Sequence, residues 1–274
     1  MSAGALLGIF IQTFKVTIRS KWLLMFTIVF FFFAFNLPFL SLQLLNLIPR
    51  NYISTFIQII ISTSFNLMPL LALPLGAVSI VEERESGSLQ YMLSTPISRG
   101  RFLAARAAGL FAATTSIIVL GFTLAALVAF QLSPASISLW YVTVAACLLN
   151  AAMIGISLVV SVTARKRLTA HGAAIFIWFL FTYAGATALS APVLAAANQY
   201  WVLLPWIFLN PVEVSRLIAV MQLPSGVQDL GSTGEAIQYV FGGGALLVLW
   251  VTMAMWTAIS LVAAFLIFTF QDIR

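Results

Sequence analysis

The sequence predicts an all-α polytopic membrane protein, and three observations carry that reading. Hydrophobic residues make up 62% of the 274 positions and charged residues only 7%, whereas a water-soluble domain needs roughly a quarter of its residues charged. The apolar residues come in runs long enough to cross a bilayer core as helices, about 20 residues each. The few charges sit beside those runs. A transmembrane barrel would instead alternate apolar and polar positions over strands of about ten residues, and no such alternation appears.

Six runs fit a span: Trp22–Leu45, Tyr52–Val81, Phe102–Leu132, Ser138–Ala164, Leu168–Ala191 and Tyr239–Phe270. Several exceed the minimum and must tilt, kink or project. In the second, Pro69 and Pro74 each remove a backbone donor, so a bend is expected there. Ahead of the first span, residues 4–21 set Ile9, Phe10, Ile11, Phe14 and Ile18 against Gln12, Lys15, Arg19 and Lys21. That spacing predicts an amphipathic helix lying in the membrane interface, with a plain extension of the first span as the alternative. The whole chain, 1–274, reads as one transmembrane domain.

Orientation follows from the bases. With the N-terminus cytoplasmic, Lys15, Arg19, Lys21, Arg84, Arg99, Arg101, Arg106, Arg165, Lys166, Arg167 and Arg274 lie inside and only Arg50 and Arg216 outside. Six spans with both termini cytoplasmic satisfy this asymmetry, and the expected location is a cell (inner, cytoplasmic) membrane. The net charge of +6 is thus an orientation and headgroup signal, and nucleic acid is not an expected partner.

Residues 192–238 differ from the other connections. "NQYWVLLPWIFLNPVEVSRLI" is apolar but interrupted by Pro205 and Pro211, too short on either side to span. It predicts one or two re-entrant or interfacial helices at the outer leaflet, tolerated only where protein or water satisfies the backbone. "QLPSGVQDLGSTGEA" then reads as a polar loop. Tyr200, Trp201 and Trp206, with Asn210 and Pro211, are candidates for an outer gate; the same aromatics also read as an interfacial belt.

Catalytic chemistry is missing from the sequence. The glycine cluster Gly242–Gly244 is followed by Ala245 and Leu246, not by the Lys-Ser/Thr of a phosphate loop. One cysteine, Cys147, and one histidine, His171, leave no basis for a disulfide, a metal cluster or a nucleophile–base pair. The spans hold almost no ionisable groups, unlike those of ion-coupled transporters. Asn66 and Asn150, the most polar residues deep in spans, read as interhelical hydrogen-bonding groups. No enzyme activity and no bound cofactor or metal are expected.

One polar segment stands out. "VEERESGSLQYMLSTPISRGRFLAARAAG" carries seven of the chain's 20 charged residues. "EERE" closes the second span and should put Glu82, Glu83 and Glu85 at the water. Ser86-Gly87 breaks the helix. Leu89, Met92 and Leu93 then share one face of a short helix, which Thr95-Pro96 ends. Ser98 can cap the next helix, and Arg99, Arg101 and Arg106 can anchor it at the headgroups. Residues 82–101 thus read either as a docking element for a cytoplasmic partner or as a solvated loop.

These residues resemble the segment after the second span in membrane-spanning permeases of the type-2 ABC exporter (ABC-2) family. The family pattern runs acidic-x-acidic-x-Gly-Thr/Ser-Leu, then Leu-Leu, then Pro-x-x-Arg. Here Glu83, Glu85, Gly87, Ser88, Leu89, Met92-Leu93, Pro96 and Arg99 stand at those positions. The resemblance implies a coupling helix that docks on a cytosolic ATPase dimer, with ATP and Mg bound by that partner and not by this chain. Glu83 and Glu85 would face the ATPase, while Leu89, Met92 and Leu93 seat in its groove. A second permease copy, in a homodimer, is also implied, alongside membrane lipid and a periplasmic or extracellular accessory protein. Residues Leu203–Leu217, "LLPWIFLNPVEVSRL", further resemble the outer segment of NosY-like permeases, which serve nitrous-oxide reductase maturation. The function implied is the transmembrane permease of an ATP-driven exporter. Its alternative is a non-transport scaffold or signalling subunit that binds a cytosolic partner through 82–101.

Overall fold

The computed structural model describes residues 3–44, 52–88, 98–132, 139–184, 200–223, 226 and 230–270, and every regular element among them is helical. In chain order these are α1 (Ala3–Ile18), α2 (Lys21–Leu44), α3 (Tyr52–Val78), α4 (Val81–Glu85), α5 (Arg99–Leu132), α6 (Leu139–Thr163) and α7 (Arg167–Phe179). A π-helical turn, Leu180–Ala184, continues α7. Then come α8 (Tyr200–Phe208), α9 (Pro211–Met221), α10 (Gly231–Phe241), a 3₁₀ turn at Gly242–Gly244, and α11 (Ala245–Phe270).

Among the described residues, four of the expected spans appear as helices long and apolar enough to cross a membrane: Ile57–Glu85, Arg99–Leu127, Trp140–Thr163 and Ala236–Phe270. A fifth arises if α1 and the first half of α2 are one span bent by 56°. That bend falls at Arg19-Ser20, where the Ser20 hydroxyl accepts the Leu23 N–H at 3.2 Å and starts α2. The expected span at Leu168–Ala191 begins as α7, but residues 185–191 lie outside the described set. α3 runs through Pro69 and Pro74 without ending.

α6 is the centre of the bundle. It packs against α3, α5, α9 and α11, and Val142, Ala145, Leu149, Ala152, Met153 and Leu158 are buried along it. Small residues set the approach. A Cβ on Gly155 would lie 2.1 Å from the Ser260 hydroxyl of α11, and one on Gly76 of α3 would lie 1.8 Å from that of Ser157. Neither position has room for a methyl group, which is how helices pack tightly where lipid supplies no hydrophobic drive. Asn150 adds a polar tie, donating to the hydroxyls of Thr114 (2.8 Å) and Thr115 (3.0 Å) on α5. The outward faces carry large apolar side chains such as Leu120, Leu247, Met255 and Phe270, as a lipid-facing surface requires.

α1 buries Thr13 and Thr17 and presents Leu7, Ile11 and Val16 outward; it packs along α5. One sequence expectation is corrected between α9 and α11. The stretch read as a polar loop is helical from Gly231, because α10 begins there and its Ala236 and Ile237 are buried.

Candidate functional site

The charged end of the bundle is built around α4. At Ser79-Ile80 the chain leaves α3, and the first N–H groups of α4 need acceptors. Ser161 of α6 supplies one: its hydroxyl accepts from Ile80 N–H at 2.9 Å and Val81 N–H at 3.3 Å. The helix ends after one turn. Gly87 sits at φ +72°, the left-handed position that glycine takes without steric cost. Its N–H returns to the Arg84 carbonyl at 3.2 Å, while the Ser86 and Ser88 hydroxyls donate to the Glu83 carbonyl.

The four charged residues of "EERE" then fasten α4 to three neighbours: α5, the end of α6 and the start of α7. Glu83 turns inward and pairs with Arg106 of α5, the two side chains being 11% and 16% exposed. The Arg106 guanidinium also donates to the Ser79 carbonyl at 2.6 Å and lies over the Phe102 ring at 5.8 Å. Arg84 donates to the Ala164 carbonyl at 2.9 Å, at the end of α6. Glu85 accepts the backbone N–H of Arg167 at 2.9 Å, capping α7, whose own Lys166 provides no side-chain cap. Glu82 pairs with the Arg167 side chain, and both are about half exposed. On the far side of the segment, Arg99 donates to the Thr269 carbonyl of α11 at 3.3 Å.

Two sequence expectations are corrected here. Glu83 does not lie at the water, and Arg106 is not a headgroup anchor; they neutralise each other inside the protein. The reason is geometric. α5 returns antiparallel to α3, so Arg106, two turns into α5, comes level with the last turn of the preceding helix. Glu82, Glu85 and Gly87 are exposed and Ser88 and Arg99 are half-buried. Leu89, Met92, Leu93 and Pro96 lie outside the described residues.

The second group of candidates gathers at the α8–α9 junction. Asn210 is the N-cap of α9: its Oδ1 accepts from Val212 N–H at 3.0 Å and Glu213 N–H at 3.4 Å, with Pro211 at the first helical position. Its Nδ2 donates to the Phe181 carbonyl at 2.7 Å, a group in the π-helical turn that continues α7. Trp256 of α11 donates to the Phe208 carbonyl at 2.9 Å, closing the end of α8. Asn210 and Pro211 are buried, whereas Trp206 is 41% exposed; the side chains of Tyr200 and Trp201 lie outside the described set. Asn210 is therefore a structural joint, separate in burial from the aromatic face.

Sequence reasoning missed the ion pair inside α9. Glu213 is 4% exposed and accepts from Arg216 Nε at 3.0 Å and Nη2 at 2.6 Å. The i, i+3 spacing was visible in "PVEVSR", but its burial was not. α9 is enclosed by α3, α6 and α11, so protein surrounds this short helix on several sides.

A bundle of long apolar helices with a braced, charged end has the make-up of an integral membrane protein, and the family comparison says of which kind. The model for ABC-2 family transporter proteins matches residues 7–273, so the chain belongs to the ABC-2 transporter family. It is 28% identical to a probable ABC transporter permease protein NosY of Stutzerimonas stutzeri, over 92% of this chain and 93% of that one. It is 27% identical to the protein of the same name from Pseudomonas aeruginosa, over 90% and 91%. The protein is a transporter permease subunit.

Proposed function

We propose that this permease is the membrane-spanning half of an exporter driven by a separate dimer of ABC ATPase subunits, and that residues 82–101 receive the ATPase stroke. The observation that carries the reading is the bracing of α4. Through Glu83, Arg84 and Glu85 it is tied to α5, to the end of α6 and to the start of α7, and Arg99 ties the segment's far side to α11. A displacement applied between Ser88 and Ser98 is thereby delivered to most of the bundle at once. In this reading the charged end is cytoplasmic, α1 lies in the interface, α8 and α9 form the re-entrant outer element, and six spans place both termini inside. A second copy completes the translocation path. ATP and Mg belong to the partner.

The near absence of charge along the spans supports an amphipathic or lipid-like cargo, or passage through a narrow gate, over a deep polar cavity for a hydrophilic solute. The test is co-expression with a candidate ATPase, followed by ATPase and transport assays on Glu85→Lys. Loss of ATPase stimulation with an intact, folded permease is expected. Normal ATPase association and normal transport in that variant overturn the assignment of this segment. A wild-type permease that binds the ATPase without changing its turnover supports a scaffold instead.

A further inference from the structure

We infer that the charged end carries a site for one anionic phospholipid, with an acyl chain in a groove between α5 and α11 and the headgroup at Arg101. The groove is a cavity of about 550 Å³. α6 forms its floor through Ala151, Ile154 and Leu158, and Ala104, Ala108 and Phe265 stand along its walls. Its lining is apolar throughout.

The polar end of the site adjoins it directly. Ala104 and Phe265 also line a second hollow, whose other walls are Ser98, Arg99, Gly100, Arg101 and Thr269. Arg101 and Ala104 line a third hollow, against α1. Helical spacing explains the alignment. Arg101, Ala104, Ala105 and Ala108 fall at i, i+3, i+4 and i+7, a single stripe of α5. Phe102 and Arg106 turn toward the protein instead, Arg106 pairing there with Glu83. Arg101 is exposed, and no carboxylate is among the residues lining the three hollows. Arg99 adds a second positive charge at the mouth while donating to the Thr269 carbonyl.

A slot that is purely apolar along its length and cationic at one end is complementary to a molecule with a hydrocarbon tail and an anionic head. A bilayer supplies that molecule at this depth, and basic residues near the surface favour anionic lipids. A second copy of the chain fits less well. A two-fold contact through this face would set the same patch on itself, bringing the Arg99–Arg101 clusters of the two copies together with no acid between them.

The experiment uses the full-length permease reconstituted into vesicles of phosphatidylglycerol and phosphatidylcholine in equal amounts, extracted in mild detergent and weighed by native mass spectrometry. Wild type is expected to retain phosphatidylglycerol in preference to phosphatidylcholine. Arg101→Ala should lower the retained phosphatidylglycerol about fivefold with phosphatidylcholine unchanged. Ala104→Trp, or the milder Ala108→Leu, fills the groove while leaving the charges in place and should reduce both lipids; these alanines are exposed, so folding is spared. Equal retention of the two lipids by wild type overturns the proposal. So does unchanged retention in the groove-filled variants, or loss of a dimer in those variants with lipid retention intact, which would assign the face to a second copy.

Discussion

Arg106 of α5 grips α4 at two points, pairing with the Glu83 carboxylate and donating to the Ser79 carbonyl at 2.6 Å. It thereby pins the break between α3 and α4 to the following long helix. The pair is buried enough that neither charge survives well alone. Removing one member of such a pair strands the other and costs about 3–5 kcal/mol. Glu83→Gln is therefore expected to lower the unfolding temperature of the detergent-solubilised permease severely, and Arg106→Gln likewise. Because both variants remove the same contact, the double variant Glu83→Gln/Arg106→Gln should be far less destabilised than the sum of the two. A thermal-shift double-mutant cycle that comes out additive would refute the pairing.

Glu82 and Glu85 stand in the same short helix and should behave differently. The Glu82–Arg167 pair is about half exposed on both sides, a setting in which ion pairs are worth about 0–1 kcal/mol. Glu82→Ala should leave thermal stability nearly unchanged. Glu85 caps the backbone of α7, and loss of an N-terminal cap costs about 1 kcal/mol. Glu85→Ala should thus fall between Glu82→Ala and Glu83→Ala in the same thermal-shift measurement. Any other order would mean that these three acids are not divided between surface, cap and interior as described.

Asn210 does two separable jobs. Its Oδ1 caps α9 and its Nδ2 satisfies the Phe181 carbonyl. A serine retains the capping oxygen but loses the donor to Phe181, whereas alanine loses both. Asn210→Ser is expected to cost about 1 kcal/mol from the lost hydrogen bond. Asn210→Ala should cost about 1 kcal/mol more for the cap, read as a stepwise fall in unfolding temperature. Equal effects would show that the cap contributes nothing.

How much of this could be read from the chain depends on how local each feature is. The apolar runs gave the helices because hydrocarbon length is a property of consecutive residues, and "NPVE" announced the start of α9 by the ordinary rules of capping. The break at Ser86-Gly87 was equally local. The Glu83–Arg106 pair was not legible, since its partners are 23 positions apart and meet only because α5 folds back beside α4. For the same reason the acids of "EERE" looked alike in sequence, although one is a core residue and two are surface residues. The burial of Glu213 was hidden because α9 is enclosed by three helices distant in the chain. The first helix posed a related problem: its threonines, polar by composition, face protein, while Leu7 and Val16 face outward.

Glycines set close helix crossings where α6 meets α3 and α11, and a test there reads the bundle's core directly. A methyl on Gly155 would meet the Ser260 hydroxyl at 2.1 Å and the Ser260 Cβ at 2.8 Å, with the Leu261 backbone nitrogen at 3.0 Å behind them. Side-chain rotation alone cannot clear all three, so α6 and α11 must separate. Overpacking of this kind costs about 1–3 kcal/mol, and Gly155→Ala should lower the unfolding temperature accordingly. Gly76→Ala differs in what it meets: the Ser157 hydroxyl at 1.8 Å and Cβ at 2.7 Å, with the Ser157 Cα, the nearest backbone atom, at 3.8 Å. Trimming that side chain in Gly76→Ala/Ser157→Gly should therefore recover much of the loss. In the α11 crossing, Gly155→Ala/Ser260→Gly should recover less, because the backbone nitrogen remains in the way. Equal rescue at the two crossings, measured by thermal unfolding of the four variants, would show that the helices approach each other differently from the geometry described.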